Sequence, residues 1–337
     1  MKIFSDYDLT KLNTFGVSAR AKFFVEINTE ADLRNLFLTS EFKNNGKLFL
    51  GGGSNVLFTK DFDGMVILNK LKGIEILREN PNDVLIKSMS GEIWHDLVNF
   101  TVDHDYWGIE NLSFIPGTVG AAPMQNIGAY GAELKNVLEK VETYEVETGE
   151  RKVFDKEECE LGYRDSIFKN KLKDKYFISA ITLRLSKVEK KNISYQVLRE
   201  HLEKNKIIVQ NSKHISDAVT AIRKSKLPDP ALIGNAGSFF KNVFLDKEKM
   251  IELLKKYPNM PYFEEGGVTK IPAAWLIEQC GWKGKRLGNV GVHDKQALVL
   301  VNHGGGKGEE IESLADQIIT SVFNRFGIRL IPEVNFI

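Results

Sequence analysis

Cysteine is scarce in this chain of 337 residues, which contains only Cys159 and Cys280. Two cysteines are too few for a disulfide scaffold, and neither has a Cys or His neighbour at the spacing of metal ligands. We therefore expect both to be free, buried thiols in a reducing compartment, and we expect no metal site.

Excess charge of one sign and long apolar runs are also missing. The 46 basic and 45 acidic residues give a net charge of +1, which argues against a nucleic-acid partner or an anionic membrane surface. No run approaches the roughly 18 apolar residues of a membrane helix. The first residues, MKIFSDYDLTKLNTFG, lack the apolar core and cleavage pattern of an export signal. We expect a cytoplasmic, monomeric protein.

The common phosphate-binding fingerprints are absent as well. A predicted strand at 47–50 runs into Gly51-Gly52-Gly53-Ser54-Asn55, but Val56 stands where a dinucleotide turn needs its last glycine. No Gly-Lys-Ser/Thr follows, so this is not a P-loop. Three glycines with a serine and an asparagine remain, a plausible pyrophosphate cradle of main-chain and short side-chain donors.

The stretch at 108–131, GIENLSFIPGTVGAAPMQNIGAYG, is too poor in charge for an ordinary surface loop. It is also too rich in glycine for a helix or a regular strand. Small residues at 116–117 and 120–123 would let the backbone lie against something large and flat. On this stretch alone, a tight connecting loop is an equally good interpretation.

Hydrophobic periodicity predicts a mixed chain. Helices are predicted from a Thr29 cap, over 92–102, over 272–280 with proline at the first position, and over 311–326. Strands are predicted at 21–27, 47–50, 66–68, 84–88, 137–146, 176–185, 297–302 and 328–337. Glu333 lies among apolar residues on the last of these, so its carboxylate must be paired, protonated or functional.

Four segments occur in an order that resembles one family. They are GGGSNVLF at 51–58, IPGTVGAAPMQNIGAYG at 115–131, GYRDSIFK at 162–169 and GNAGSFFKN at 234–242. With KLPDP at 226–230, QALV at 296–299 and PEV at 332–334, the chain resembles the UDP-N-acetylenolpyruvoylglucosamine reductases of type I over nearly its whole length.

The resemblance implies an α+β flavoprotein of three domains. Residues 1–72 and 73–215 would form two FAD-binding subdomains of the vanillyl-alcohol oxidase (PCMH) type, and 216–320 the UDP-sugar-binding α+β domain. Residues 321–337 would form a C-terminal strand returning to the active site. The implied activity is NADPH-dependent, ping-pong reduction of UDP-N-acetylglucosamine enolpyruvate to UDP-N-acetylmuramate for peptidoglycan synthesis.

The resemblance also implies the cofactor contacts. They are Gly51, Gly52, Gly53, Ser54, Asn55, Ile115, Pro116, Gly117, Gly120, Ala121, Ala122 and Ile178. Some members of the wider flavin fold attach FAD covalently through His or Cys. Neither 51–55 nor 115–131 contains either residue, so we expect non-covalent FAD.

Three residues match the reacting groups of the family. Arg164 would bind the substrate carboxylate and stabilise developing negative charge. Ser238 would deliver a proton, and Glu333, held protonated, would help to stabilise the enolate. The alternatives are a surface Arg164–Asp165 pair, a turn serine bonded to its own backbone, and a strand-end carboxylate bonded to amides.

The implied contacts to the UDP-sugar are Tyr163, Tyr195, Lys226, Asn242, Lys283 and Gln296. Tyr195 would be a lid residue and Tyr163 would support Arg164. A solvated surface residue is the alternative for each of the nucleotide contacts, and it is strongest for Lys283. Two other functions remain open: a flavin oxidase with a different substrate, and a non-catalytic nucleotide-binding protein.

Overall fold

The computed structural model describes residues 1–265 and 268–337, which form two compact units built from interleaved segments. The first unit contains Met1–Tyr7, Ala21–Gly52 and Phe62–Ser225. The second contains Asp8–Arg20, Gly53–Asp61 and Lys226–Ile337. The division into three domains stays a prediction. Among the helices of the described residues, none is both long and apolar enough to cross a membrane.

The first unit contains two main sheets. A four-stranded sheet has the order Ile3–Asp8, Arg20–Ile27, Phe62–Asn69, Gly46–Leu50, and its last three strands are parallel. An antiparallel five-stranded sheet has the order Arg151–Asp155, Leu138–Glu145, Tyr176–Ser186, Asp83–Met89, Ile74–Glu79. The helices are Glu30–Phe37, Ser40–Asn44, Trp94–Asp103, Gln196–Lys204 and Ser212–Lys226.

Side-chain alternation explains why these strands form. In Asp83–Met89 every second residue is buried, among them Val84 and Ile86, which lose all exposure. One face of this strand therefore packs on a core while the other stays partly exposed. Tyr176–Ser186 is buried along most of its length because its side chains pack into two hydrophobic cores, Phe177 into one and Ile181 and Leu183 into the other. The strand predicted at 176–185 is confirmed.

Helix signals in the first unit are equally local. Thr29 and Asp32 form a reciprocal capping box at the start of Glu30–Phe37, as the Thr29 cap predicts. Trp94–Asp103 buries Trp94, Leu97 and Val98 on one face. The indole Nε1 of Trp94 donates to the Leu112 carbonyl at 2.9 Å, which fixes this helix to the glycine-rich stretch.

The second unit contains smaller sheets. One has the order Gly234–Asn235, Leu300–Asn302, Val290–Val292, Arg286–Leu287, and another Val243–Leu245, Val268–Ile271, Phe263–Glu265. The strands Val56–Leu57 and Asn335–Phe336 pair in parallel. The helices are Lys247–Lys256, Ala273–Gln279 and Gly308–Phe326. The last helix ends at Gly327 with φ +68°, a left-handed cap that glycine adopts readily.

Four predictions need correction, and the first is the strand predicted at 297–302, which is confined to Leu300–Asn302. The strand predicted at 328–337 reduces to Asn335–Phe336, and Glu333 lies outside it and is half-exposed. The segment buries Leu330 and Val334, so it shows the alternation of a strand, but its pairing before Asn335 is an isolated bridge between Pro332 and Phe240. Pro272 precedes its helix, which begins at Ala273. Cys159 is buried, but Cys280 is half-exposed.

Candidate active site

The two glycine-rich segments meet in the first unit. A Cβ atom on Gly51 would lie 2.2 Å from Thr118 Oγ1, and one on Gly52 would lie 3.0 Å from the Cα atom of Gly117. These glycines are therefore required first by the close approach of one backbone to the other. Gly52, Pro116 and Ala121 remain exposed, so the paired segments present backbone and small side chains to solvent.

Backbone hydrogen bonds fix the second segment against the start of the helix Trp94–Asp103. The amide of Trp94 donates to the Gly117 carbonyl at 3.0 Å. The amide of Val119 donates to the Glu92 carbonyl at 2.9 Å, and that of Gly120 to the Ser90 carbonyl at 2.8 Å. A cradle of unpaired amides cannot include Val119 or Gly120, because both amides already have acceptors.

The remaining predicted cofactor contacts are divided between the first and the second unit. Ala121 and Ala122 donate their amides to the carbonyls of Thr118 and Val119, so a flavin would meet their surfaces rather than their N–H groups. Ile178 is buried, and its carbonyl accepts from Asn69 Nδ2 at 3.3 Å in the first unit. The other predicted contacts are Ile115, half-buried beside Pro116, and Gly53, Ser54 and Asn55 of the second unit.

Arg164 is held in an unusual conformation within the first unit. Its backbone φ is +52°, a left-handed value that is uncommon outside glycine. Its Nη2 donates to the Gly128 carbonyl at 2.6 Å, and its guanidinium carbon lies 5.3 Å from the centre of the Tyr163 ring. Asp165 accepts from Asn170 Nδ2 at 2.9 Å. In these two bonds Arg164 and Asp165 therefore have different partners, Gly128 and Asn170. Strain at a half-buried cation is typical of functional positions.

The loop that carries Arg164 is anchored by two further hydrogen bonds. Asn126, which is fully buried, donates through Nδ2 to the Gly162 carbonyl at 2.8 Å. The Ser166 hydroxyl donates to the Met124 carbonyl at 2.8 Å. Together with the Arg164–Gly128 bond, these contacts join the third motif of the sequence to the second. The guanidinium is therefore positioned by well-packed backbone.

Arg223 is a candidate site residue that the sequence interpretation missed. Its Nε donates to the Phe114 carbonyl at 3.0 Å. Burial lowers the pKa of Arg223, the nearby Tyr130 hydroxyl raises it, and the positive charge of Arg164 lowers it further. Two guanidinium groups thus lie within electrostatic range of each other in one unit, an arrangement suited to an anion. A basic residue on an amphipathic helix carries no local signal of this role.

Two tyrosines adjoin this pair of cations. The rings of Tyr130 and Tyr195 lie 5.4 Å apart, edge to face. Burial raises the pKa of Tyr130, the nearby Arg223 lowers it and Tyr195 raises it. Tyr195 is exposed and precedes the helix Gln196–Lys204. The structure thus places the predicted lid residue beside the second glycine-rich segment.

Ser238 and Glu333 come together in the second unit. The amide of Glu333 donates to the Phe239 carbonyl at 2.7 Å, next to Ser238, and the Lys241 amide donates to the Ile331 carbonyl at 2.9 Å. Ser238 is exposed and follows Gly237, whose φ is +68°. Within the described part of the chain the Ser238 hydroxyl makes no hydrogen bond, which disfavours the turn-serine alternative.

The predicted nucleotide contacts have varied surroundings in the second unit. Asn242 Oδ1 accepts from the amide of Ala273 at 3.1 Å, at the start of a helix. Lys283 Nζ lies 2.9 Å from Glu278 Oε1 on the surface, which favours the solvated alternative. Lys226 is exposed, and half-buried Gln296 accepts from the Leu298 amide through Oε1 at 3.4 Å. The bonds of Asn242, Lys283 and Gln296 are to different residues, so none of these bonds connects one predicted nucleotide contact to another.

Comparison with known proteins identifies the family of the chain. The family model described as an FAD binding domain matches residues 21–154. The model described as UDP-N-acetylenolpyruvoylglucosamine reductase, C-terminal domain, matches residues 229–337. The UDP-N-acetylenolpyruvoylglucosamine reductases of Flavobacterium johnsoniae and Amoebophilus asiaticus are 47% and 49% identical to this chain, with 100% of each chain covered.

One solved structure supports the fold. The UDP-N-acetylenolpyruvylglucosamine reductase of Thermus caldophilus superposes with a TM-score of 0.66, covering 99% of this chain and 98% of the other at 20% identity. The predicted fold class, an α+β protein with a PCMH-type FAD-binding domain and a C-terminal domain, is confirmed. The family resemblance in the sequence is confirmed too: this chain belongs to the UDP-N-acetylenolpyruvoylglucosamine reductase family of FAD-dependent oxidoreductases.

Proposed function

We propose that this protein reduces UDP-N-acetylglucosamine enolpyruvate to UDP-N-acetylmuramate, with NADPH as reductant and non-covalent FAD as hydride carrier. The reaction would be a ping-pong step of cytoplasmic peptidoglycan precursor synthesis. Identity of 47% and 49% over the full length to reductases of this name supports the substrate. The structural observation that carries the proposal is the 2.7 Å bond from the Glu333 amide to the Phe239 carbonyl, which joins the segments of the candidate acid and proton donor.

The first unit has an exposed backbone surface that is suited to contact with FAD. Gly51 and Gly52 lie against Thr118 and Gly117, and exposed Gly52 has no side chain that would keep a ligand away from its backbone. We propose that this surface and the neighbouring Ile115–Ala122 segment hold the cofactor. When bound, FAD supplies transfer of a hydride from the reduced nicotinamide to the terminal alkene carbon of the enolpyruvyl group.

Arg164 is proposed to bind the substrate carboxylate. Hydride addition to the terminal carbon leaves negative charge on the adjacent carbon, and this charge spreads into the carboxylate. A guanidinium is charged at all relevant pH values and can donate two parallel hydrogen bonds. Its bond to Gly128 and its contact with the Tyr163 ring hold it in place before substrate arrives, so little reorganisation is needed during the reaction.

Ser238 is proposed to give the proton of its hydroxyl to the carbon adjacent to the carboxylate. A serine is a poor acid in water, so the transfer depends on a strongly basic carbanion and on fixed geometry. The loop offers such geometry, because the Gly237 amide donates to Asn235 Oδ1 at 2.9 Å and the Phe239 amide to the Leu298 carbonyl at 2.7 Å. Solvent then returns a proton to the serine oxygen.

Glu333 is proposed to assist with the same charge. Its amide is bonded to the Phe239 carbonyl, and its carbonyl accepts from Asn55 Nδ2 at 3.3 Å. Both backbone groups are therefore engaged, which restricts where the carboxyl group can point. A protonated carboxyl group could donate a hydrogen bond to the enolate, and a neighbouring substrate carboxylate would favour that protonation state.

The test separates the two half-reactions. Purified protein should be yellow, and NADPH should bleach the flavin under anaerobic conditions. Adding UDP-N-acetylglucosamine enolpyruvate should restore the colour. Ser238→Ala should bleach at the normal rate and recover roughly 10²–10⁴-fold more slowly, because only the second half-reaction needs a proton donor.

Two results would count against the proposal. Equal loss of both half-reactions in Ser238→Ala would remove the proton-donor role of this residue. A bleached enzyme that recovers with oxygen but not with the enolpyruvyl sugar would indicate a flavin oxidase with another substrate.

A further inference from the structure

Phe114 links two helices immediately before the segment that is proposed to hold FAD. Its amide donates to Nδ1 of His95 at 3.1 Å, on the helix Trp94–Asp103. Its carbonyl accepts from Nε of Arg223 at 3.0 Å, on the helix Ser212–Lys226. Both polar groups of one peptide residue are therefore bound by side chains from different helices.

The backbone of Phe114 is strained. Its φ is +58°, in the left-handed region that phenylalanine rarely adopts. Its ring is perpendicular to the His95 ring, with centroids 5.6 Å apart, and Lys224 Nζ lies 5.2 Å from the Phe114 ring centre. A strained residue persists only where its surroundings hold it. Here His95 and Arg223 supply the polar contacts that hold it.

The hydrogen bond fixes the protonation state of His95. A backbone amide can only donate, so Nδ1 must present a lone pair and the proton of the neutral ring must lie on Nε2. A doubly protonated ring would face the Phe114 N–H with another N–H and lose the bond. The contact therefore exists only while His95 is neutral.

We propose that His95 is a positioning residue of this enzyme. Neutral His95 holds Phe114 in its left-handed conformation, and Phe114 in turn places the Arg223 guanidinium and the start of the Ile115–Ala122 segment. Loss of the His95–Phe114 bond loosens both. The inference rests on the proposed function, because it assumes that this segment contacts FAD.

The surroundings of His95 set the direction of its pH dependence. Burial lowers its pKa below the usual 6.5, the charge of Asp96 raises it, and the positive charges of Lys224 and Arg223 lower it. Because the folded pKa lies below the unfolded value, the neutral contact is intact above pH 6.5. It is lost as the pH falls through the lower folded value.

The experiment measures the FAD dissociation constant by flavin fluorescence, from about pH 8 to about pH 5. The proteins are wild type, His95→Ala, His95→Asn and the control His104→Ala. Asparagine can place Oδ1 near the position of Nδ1 and does not titrate. His104 is an exposed histidine at the end of the same helix, with Nδ1 2.7 Å from the Phe100 carbonyl.

We expect wild type and His104→Ala to bind FAD about threefold to tenfold more weakly at acid pH than at pH 8. This factor corresponds to the net contribution of one hydrogen bond to the binding free energy. At every pH, His95→Ala should bind FAD more weakly than wild type does at pH 8, by a similar factor. His95→Asn should bind FAD as tightly as wild type does at pH 8, and its affinity should not decline at acid pH. Histidine ¹⁵N chemical shifts should show the Nε2–H tautomer of His95 in the flavin-free protein.

Other outcomes overturn the inference. His95→Ala with wild-type affinity would refute it, and so would His95→Asn with the same pH profile as wild type or an Nδ1–H tautomer. If His95→Ala does not fold, the comparison of wild type with His95→Asn decides. Failure of wild type to bind FAD at any pH would instead reject the proposed function, and this inference with it.

Discussion

Gly53 provides the sharpest test of how the glycine-rich loop is built. It has φ +62°, and a Cβ atom there would lie 1.9 Å from the Leu12 carbonyl oxygen and 2.8 Å from the carbonyl carbon. Close C···O contacts are usually about 3.3–3.6 Å. Gly53→Ala therefore demands a backbone shift of more than about 1 Å to restore such a contact, in addition to a left-handed alanine.

Gly16→Ala is a matched control for the conformational part of this cost. Gly16 has φ +64° and no atom within 4 Å of an added Cβ. A left-handed non-glycine residue costs roughly 1–2 kcal/mol, and the stiffer unfolded chain returns about 0.4–1 kcal/mol. We expect Gly16→Ala to destabilise by at most about 1.5 kcal/mol on these figures.

Gly53→Ala should cost about 1–3 kcal/mol more than the control, which is the usual penalty for overpacking. Gly51→Ala should destabilise the protein less than Gly53→Ala. The atom nearest to the added Cβ, Thr118 Oγ1 at 2.2 Å, belongs to a side chain that can rotate. The assay is urea unfolding of flavin-free protein. Equal free energies of unfolding for Gly53→Ala and Gly16→Ala would refute the packing argument. The remaining reason for a glycine at position 53 would then be contact with a ligand.

Three further predictions follow from individual residues. All flavin should separate from the polypeptide on acid denaturation; colour that stays with the precipitate would contradict non-covalent binding. Asn242→Ala should lower the free energy of unfolding by about 1–3 kcal/mol because the amide of Ala273 loses its acceptor, whereas Asn242→Asp should not. Equal urea midpoints for wild type and Asn242→Ala would reject this prediction. Iodoacetamide should modify Cys280 and not Cys159 in the native protein, because burial raises the pKa of Cys159 to about 12 and only thiolates react. Mass spectrometry of labelled peptides decides the last case.

Local signals in the sequence predict the regular elements well. The Thr29–Asp32 capping box and the strand Tyr176–Ser186 depend on residues within a few positions of each other, so a single sequence contains the information. The composition of the glycine-rich stretch correctly excludes long helices and strands, and the stretch forms short 3₁₀ turns such as Val119–Ala121. Such elements are predictable because neighbouring residues determine them.

Long-range pairing lies beyond the reach of the sequence. Alternation at 328–337 fits any segment that is buried on one side. Its pairing takes two different forms, because Pro332 forms an antiparallel bridge with Phe240 while Asn335–Phe336 pairs in parallel with Val56–Leu57. The same limit applies to Arg223. Its helix shows an ordinary amphipathic pattern, and only the folded chain places its guanidinium next to the Phe114 carbonyl.

From the pair of guanidinium groups in the first unit, we propose a second role for the glycine-rich stretch besides its proposed contact with FAD. Arginine stays protonated at any pH where the protein is folded, so the repulsion between Arg164 and Arg223 cannot be relieved by loss of a proton. Their side chains are fixed by the carbonyls of Gly128 and Phe114, and both acceptors belong to the glycine-rich stretch. The backbone therefore holds two like charges near each other, which costs energy until an anion binds between or beside them. The proposed substrate carries both a carboxylate and a diphosphate, so the stretch would act as much by positioning cations as by admitting a cofactor.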